Sequence, residues 1–215
     1  MTLEQHLHQA KDLVHWLGGK LDGADVPSDL RSRLAGGCFH SAVEYHMAIV
    51  LLVEARYYAS AFALIRIIYE AYVNGVWLGR CANDVEIDSY VKRGKSPRFS
   101  DRVAEIESLP GYEARVLSNV TSCSWKAMNS YTHTGYLQIV RRQTETALES
   151  NYSDDEVIQA LNFSGAVSCL VAIELSALCQ STDLANVILQ KAGECWPHDH
   201  PVDIDGLQAR EKTTS

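Results

Sequence analysis

Five prolines, at positions 27, 97, 110, 197 and 201, leave the stretches 28–96 and 111–196 without one. Long helices fit such stretches, whereas a β-sandwich needs a turn every roughly 8–12 residues. Long helices are therefore predicted. The 215 residues suit one domain, or one domain with a tail. With 47% hydrophobic and 21% charged residues, the chain can bury a core and is not wholly disordered. The predicted fold is all-α: an up-and-down bundle of about five main helices, with short connecting helices between 84 and 109.

Apolar residues three and four apart place the elements. Leu3, Leu7, Ala10, Val14 and Leu17 give a helix over 2–17, ended by Gly18-Gly19. Ser28 is predicted to cap a second helix that can bend at Gly36-Gly37, runs to about Glu54 and carries the buried run 47–53. A third, over 57–81, is read as the buried centre and as the antiparallel partner of the second. Asp84 opens a short helix to about Val91, and another covers 99–109, stopped by Pro110-Gly111. A helix over 112–134 puts Val116, Val120, Cys123, Ala127 and Tyr131 on one stripe, with Gly135 just past its end. Helices over 136–149, 154–180 and 182–193 follow, the second of them opened by a Ser153/Glu156 capping box. The domain is taken as 1–193, and residues 194–215 are expected to form a flexible tail.

The net charge of −8 makes the chain a poor general partner for nucleic acid or an anionic membrane. Any phosphate site must then be a local basic patch. The densest is 92–102, with Lys92, Arg93, Lys95, Arg98 and Arg102. Six cysteines form no CxxC pair and read as small thiols of a reducing compartment. The start lacks a basic and then apolar segment, so no signal peptide is expected. Residues 59–79 are long enough for a membrane span. Arg66, Glu70 and Asn74 interrupt them, and a central Arg alone costs roughly 2.5–3.5 kcal/mol on insertion scales. The expectation is a cytoplasmic protein without membrane contact.

Two polar faces lie on otherwise apolar helices. Arg66, Glu70 and Asn74 are spaced by four. They form either a narrow solvent-facing stripe or a cleft-facing ion pair that holds a guanidinium in fixed geometry for a phosphate or carboxylate. Lys126, Asn129 and His133 share a second face. His133 there either caps a helix end or acts as an acid, base or phosphate ligand, with Ser130, Tyr131, Thr132 and Thr134 supplying hydroxyls. Arg141 and Arg142 follow Gly135; they are a solvated pair unless the chain turns back towards His133. Cys195, His198, Asp199 and His200 are zinc-type ligands without a ligand spacing, and no metal is expected. GxxxxGK[ST], GxSxG and HExxH are absent, and no cofactor is expected.

Residues 61–71, AFALIRIIYEA, followed by Trp77-Leu78, resemble the central helix of bacterial families placed near the HEPN superfamily (higher eukaryotes and prokaryotes nucleotide-binding domains). Residues 125–135, WKAMNSYTHTG, resemble their second signature, a helix ending in His and Gly. The resemblance covers roughly 38–180. It implies a helical bundle, often dimeric; several such proteins are metal-independent ribonucleases of toxin–antitoxin or anti-phage systems, and others only bind. Active members carry Arg, a polar residue and then His in one helical stretch. Here the nearest cation upstream of His133 is Lys126, and a guanidinium would have to come from Arg66 on another helix.

The leading expectation is a polar cleft of Arg66, Glu70, Lys126, Asn129 and His133 that binds or cleaves RNA or a nucleotide. Thr132, Thr134, Arg141 and Arg142 would add contacts. The alternative is a non-catalytic helical module that forms a homodimer or binds a protein partner, such as a toxin–antitoxin or phage-defence partner, through aromatics such as Tyr57 and Tyr58. Convergence of Arg66 and His133 to within about 6 Å favours the ligand.

Overall fold

A computed structural model describes residues 1–196. Among the described residues there are nine helices and no strand. They are α1 (Leu3–Leu21), α2 (Leu30–Glu54), α3 (Tyr58–Arg80), α4 (Asp84–Arg93), α5 (Phe99–Glu107), α6 (Val116–Thr132), α7 (Tyr136–Val140), α8 (Asp154–Leu178) and α9 (Thr182–Cys195). The expected all-α fold is the observed one.

Several boundaries move, each for a local reason. α1 passes through Gly18-Gly19 and stops at Leu21, where the Asp22 amide still donates to the Gly18 carbonyl. Asp29, not Ser28, caps α2, accepting from the Ser32 amide. Asn83, not Asp84, caps α4. Arg115 takes a left-handed conformation that delays α6 to Val116. The helix expected over 136–149 ends at Val140, because residues 141–149 offer almost no apolar face to bury. Thr144 instead closes a turn on Ala147. Residues 194–196, expected to belong to a flexible tail, are part of the fold, and residues 197–215 lie outside the described residues. α9 continues to Cys195, whose carbonyl accepts from Gln9 Nε2, and the Trp196 ring lies against Gly165 of α8. His198, Asp199 and His200 lie outside the described residues.

α2 and α3 form the expected antiparallel hairpin. Ala35 meets Gly79 and Phe39 meets Gly75, so the partners run in opposite directions along the pair. Gly75 is required by this approach: a Cβ there would come within 2.4 Å of the Phe39 ring. Arg31 ties the far end, donating to the carbonyls of Leu78 and Ala82. α3 is not the sole centre. α8 buries residues on nearly every side, packed by α1, α2, α3 and α9. Two buried polar contacts bind it to its neighbours. Ser164 gives its hydroxyl hydrogen to the Leu161 carbonyl and so accepts from His46 Nδ1 of α2. Glu174 accepts from the Tyr112 hydroxyl and from Arg80 at 2.9 Å. Burial, then the neighbouring Tyr72 and Glu174, push the Tyr112 phenol far above its ordinary value, so it acts as a donor at any physiological pH.

α2, α3 and α8 are each long and apolar enough to cross a membrane. This overturns the expectation of a cytoplasmic protein; by length and composition it points to a membrane protein instead. The penalty attached to Arg66, Glu70 and Asn74 applies to polar groups facing lipid. In the fold all three meet polar partners on their own helix or on α5 and α6.

The glycine contact yields a test of the hairpin. Gly75→Ala must push Phe39 and α2 outward, and is expected to destabilise the fold by about 1–3 kcal/mol in chemical unfolding. Unchanged stability would show that α2 and α3 are not packed at this distance.

Candidate functional site

α3 turns Ile65, Ile68, Tyr69 and Tyr72 into the core. Arg66, Glu70 and Asn74 are thereby left on the flank between core and surface. α6 buries Leu117, Val120, Ser124, Ala127, Met128 and Tyr131. Its adjoining stripe is Thr121, Trp125, Asn129 and His133, again spaced by four. The helices are antiparallel: Tyr69 bonds Leu117 and Thr121, and at the other end Thr132 donates to the Ala63 carbonyl. The two flanks therefore face each other, and Arg66 lies opposite Trp125, Asn129 and His133.

Arg66 joins them. Its Nε and Nη2 donate to Glu70 Oε1 at 3.0 and 2.7 Å. Its Nη1 donates to Asn129 Oδ1 at 2.5 Å and meets His133 Nε2 at 2.6 Å. The guanidinium lies over the Trp125 ring, 4.7 Å from its centroid. A guanidinium can only donate. His133 Nε2 must then be the acceptor, which puts the ring proton on Nδ1. By the same logic Asn129, accepting through Oδ1, keeps its NH₂ for another partner. Four of the five guanidinium hydrogens are in use. What remains on this rim is three donors, the His133 Nδ1–H, the Asn129 amide and one Arg66 hydrogen, beside the second oxygen of Glu70. Those donors match an acceptor-only anion.

The seam continues beyond the expected residues. Phe99 of α5 stacks on Trp125, with centroids 4.4 Å apart, and Arg102 lies 5.5 Å over Phe99. Arg102 also donates to Asn74. Burial pulls its guanidinium below its ordinary value, opposed by the charge of Glu70. Trp125 and Phe99 were not among the expected site residues; Asn74 was expected on the Arg66 face and Arg102 in the basic patch 92–102, neither of them in the cleft with His133. The spacing of four from Trp125 to Asn129 is the signal that carries Trp125; nothing local in the sequence brings α5 alongside.

The other expected residues fall as follows. Lys126 is exposed, one residue off the facing stripe. Thr132 directs its hydroxyl to the Ala63 and Met128 carbonyls and clips α6 to α3. Arg141 pairs with Glu156 on α8 and bonds the Tyr131 side chain, and Arg142 is exposed. Thr134 is exposed beside His133.

A family model described as a family of unknown function (DUF6988) matches residues 39–198, most of the chain, and the chain belongs to that family. No curated protein and no solved structure matches. The comparisons show no HEPN relationship.

The turn after His133 is strained. Gly135 was expected at the left-handed position, but Thr134 occupies it, at φ +54°. The Gly135 amide then closes the helix end on the Ser130 carbonyl at 2.7 Å. Gly135 is needed for a different reason: a Cβ there would come within 2.7 Å of Ser130 Oγ, which accepts from the Leu137 amide. Thr134→Gly is therefore expected to raise stability by about 1 kcal/mol in thermal unfolding. Lowered stability would show that Thr134 is held by contacts outweighing its backbone strain.

Proposed function

We propose that this member of the family binds a phosphate-bearing ligand, RNA or a nucleotide, on the rim formed by His133, Asn129 and Arg66. The observation that carries the reading is the Arg66–His133 contact at 2.6 Å, well inside the 6 Å criterion. Support comes from the three free donors of the rim and from the resemblance of both motifs to nucleotide-binding bundles.

In this reading each residue has a role. Glu70, accepting twice through one oxygen, fixes the plane of the Arg66 guanidinium. Arg66 in turn fixes His133 with its proton on Nδ1, so Arg66 is a positioning residue. His133 touches the ligand, donating Nδ1–H to a phosphate oxygen beside the Asn129 amide. In this arrangement neither imidazole nitrogen is set up to take a proton. Cleavage of RNA would require His133 to leave Arg66 and offer Nε2 to the ribose 2′-hydroxyl. The resting site therefore favours binding.

A second reading has its own observation. Tyr57, Tyr136 and Ile139 are exposed. Gln138 bonds the Ala59 carbonyl and so holds α7 against the start of α3. Together they form an apolar face for a second copy or another protein.

Asn reproduces the Nδ1 donor of histidine and Gln reproduces the Nε2 position. Titration with AMP and with a short labelled RNA should find His133→Asn close to wild type. His133→Gln and His133→Ala should be weaker by about tenfold. Tight binding by His133→Gln with loss in His133→Asn would reverse the assignment, and equal affinity throughout would remove His133 from the site. For the second reading, wild type should gain mass with concentration in sedimentation and Tyr136→Ser should not; a monomer at all concentrations counts against self-association.

A further inference from the structure

The Arg66 site adjoins the most basic segment of the chain. Trp125 contacts both the Arg66 guanidinium and the Phe99 ring. Phe99 is the first residue of α5, directly after Arg98. The loop 94–98 is thus held beside the site by two ring contacts, with Arg102 over Phe99 as a third. Gly94 ends α4 in a left-handed conformation and turns the chain so that Lys95 leaves the helix.

The cations here differ in what the fold asks of them. Lys92 pairs with Asp88, and Lys92 and Arg93 both suit the negative end of the α4 dipole. Arg102 is turned inward on Asn74 and Phe99. Lys95 and Arg98 are exposed, and among the described residues neither side chain has an ion pair or hydrogen bond. In a chain of net charge −8, two exposed cations without counterions beside the three free donors of the rim are charges left for a ligand.

We propose that loop 94–98 continues the Arg66–His133 site as a phosphate track, so that the ligand is a single-stranded polynucleotide rather than a mononucleotide. This rests on the phosphate-binding reading of the rim. One phosphate sits on His133 and Asn129, and neighbouring phosphates run past the edge of the Trp125–Phe99 stack to Lys95 and Arg98. An anionic lipid surface would meet the same cations. A strand is favoured because the rim and the loop are joined in line through the Trp125–Phe99 contact, as successive phosphates of one strand are.

The test compares the full-length wild type with Lys95→Ala/Arg98→Ala, using a short labelled single-stranded RNA, AMP and phosphatidylserine vesicles. Both substituted side chains are exposed, and helix content by circular dichroism confirms the fold. The double variant should bind RNA about tenfold more weakly. Its salt dependence should flatten by about 1.4 in log K against log salt, the value for two phosphate contacts on a single strand. AMP binding should not change. If RNA affinity and salt slope stay at wild-type values, or if wild type binds RNA no more tightly than AMP, the track is wrong and the rim reading stands. If wild type binds neither RNA nor AMP, the rim reading falls and the track with it. Loss of vesicle binding with RNA affinity intact would assign the loop to lipid and overturn the proposal.

Discussion

One guanidinium organises the polar part of this molecule. Arg66 is held by Glu70 from its own helix and reaches Asn129 and His133 on α6, with the Trp125 ring beneath it. It is mostly buried, so these bonds are exchanged for little water and are stronger than an exposed pair would be. An arginine in such a position is costly unless its hydrogens are satisfied. The neighbouring residues satisfy four of the five, and in doing so they set the tautomer of His133 and the direction of the Asn129 amide. The chemistry offered at the surface follows from that satisfaction.

The bundle makes the arrangement possible by bringing helices close. Gly75 lets α2 approach α3 to the thickness of a phenyl ring, and Gly165 admits Trp196 against α8. With those faces filled, the flank of α3 that carries Arg66, Glu70 and Asn74 is left to α5 and α6. The same pairing explains how three helices of membrane-spanning length and composition can contain charged residues. Polar groups that meet across helices need no water.

Much of this was legible in the sequence, and the exceptions are instructive. Spacing by four put Arg66, Glu70 and Asn74 on one face, and Asn129 and His133 on another, because helical periodicity is local. The capping box at Ser153 and Glu156 was readable for the same reason. Which faces meet is a matter of tertiary packing. Hence the stacking of Phe99 on Trp125 was invisible, Arg102 was read only as part of the basic patch, and Arg141 pairs with Glu156. The turn at Thr134 broke a local rule: glycine was one position away, and was needed there against Ser130. The cytoplasmic expectation failed because charge was counted along one helix, without the partners that neutralise it.

Ligand binding at this rim depends on the ring proton of His133. Nitrogen-15 NMR of the imidazole in the full-length protein reads it directly. Protonation at Nδ1 with a bare Nε2, and loss of that preference in Arg66→Ala, is the predicted result. A proton on Nε2 in the wild type would mean that Arg66 does not donate to His133, and the rim would lose the donor on which ligand binding depends.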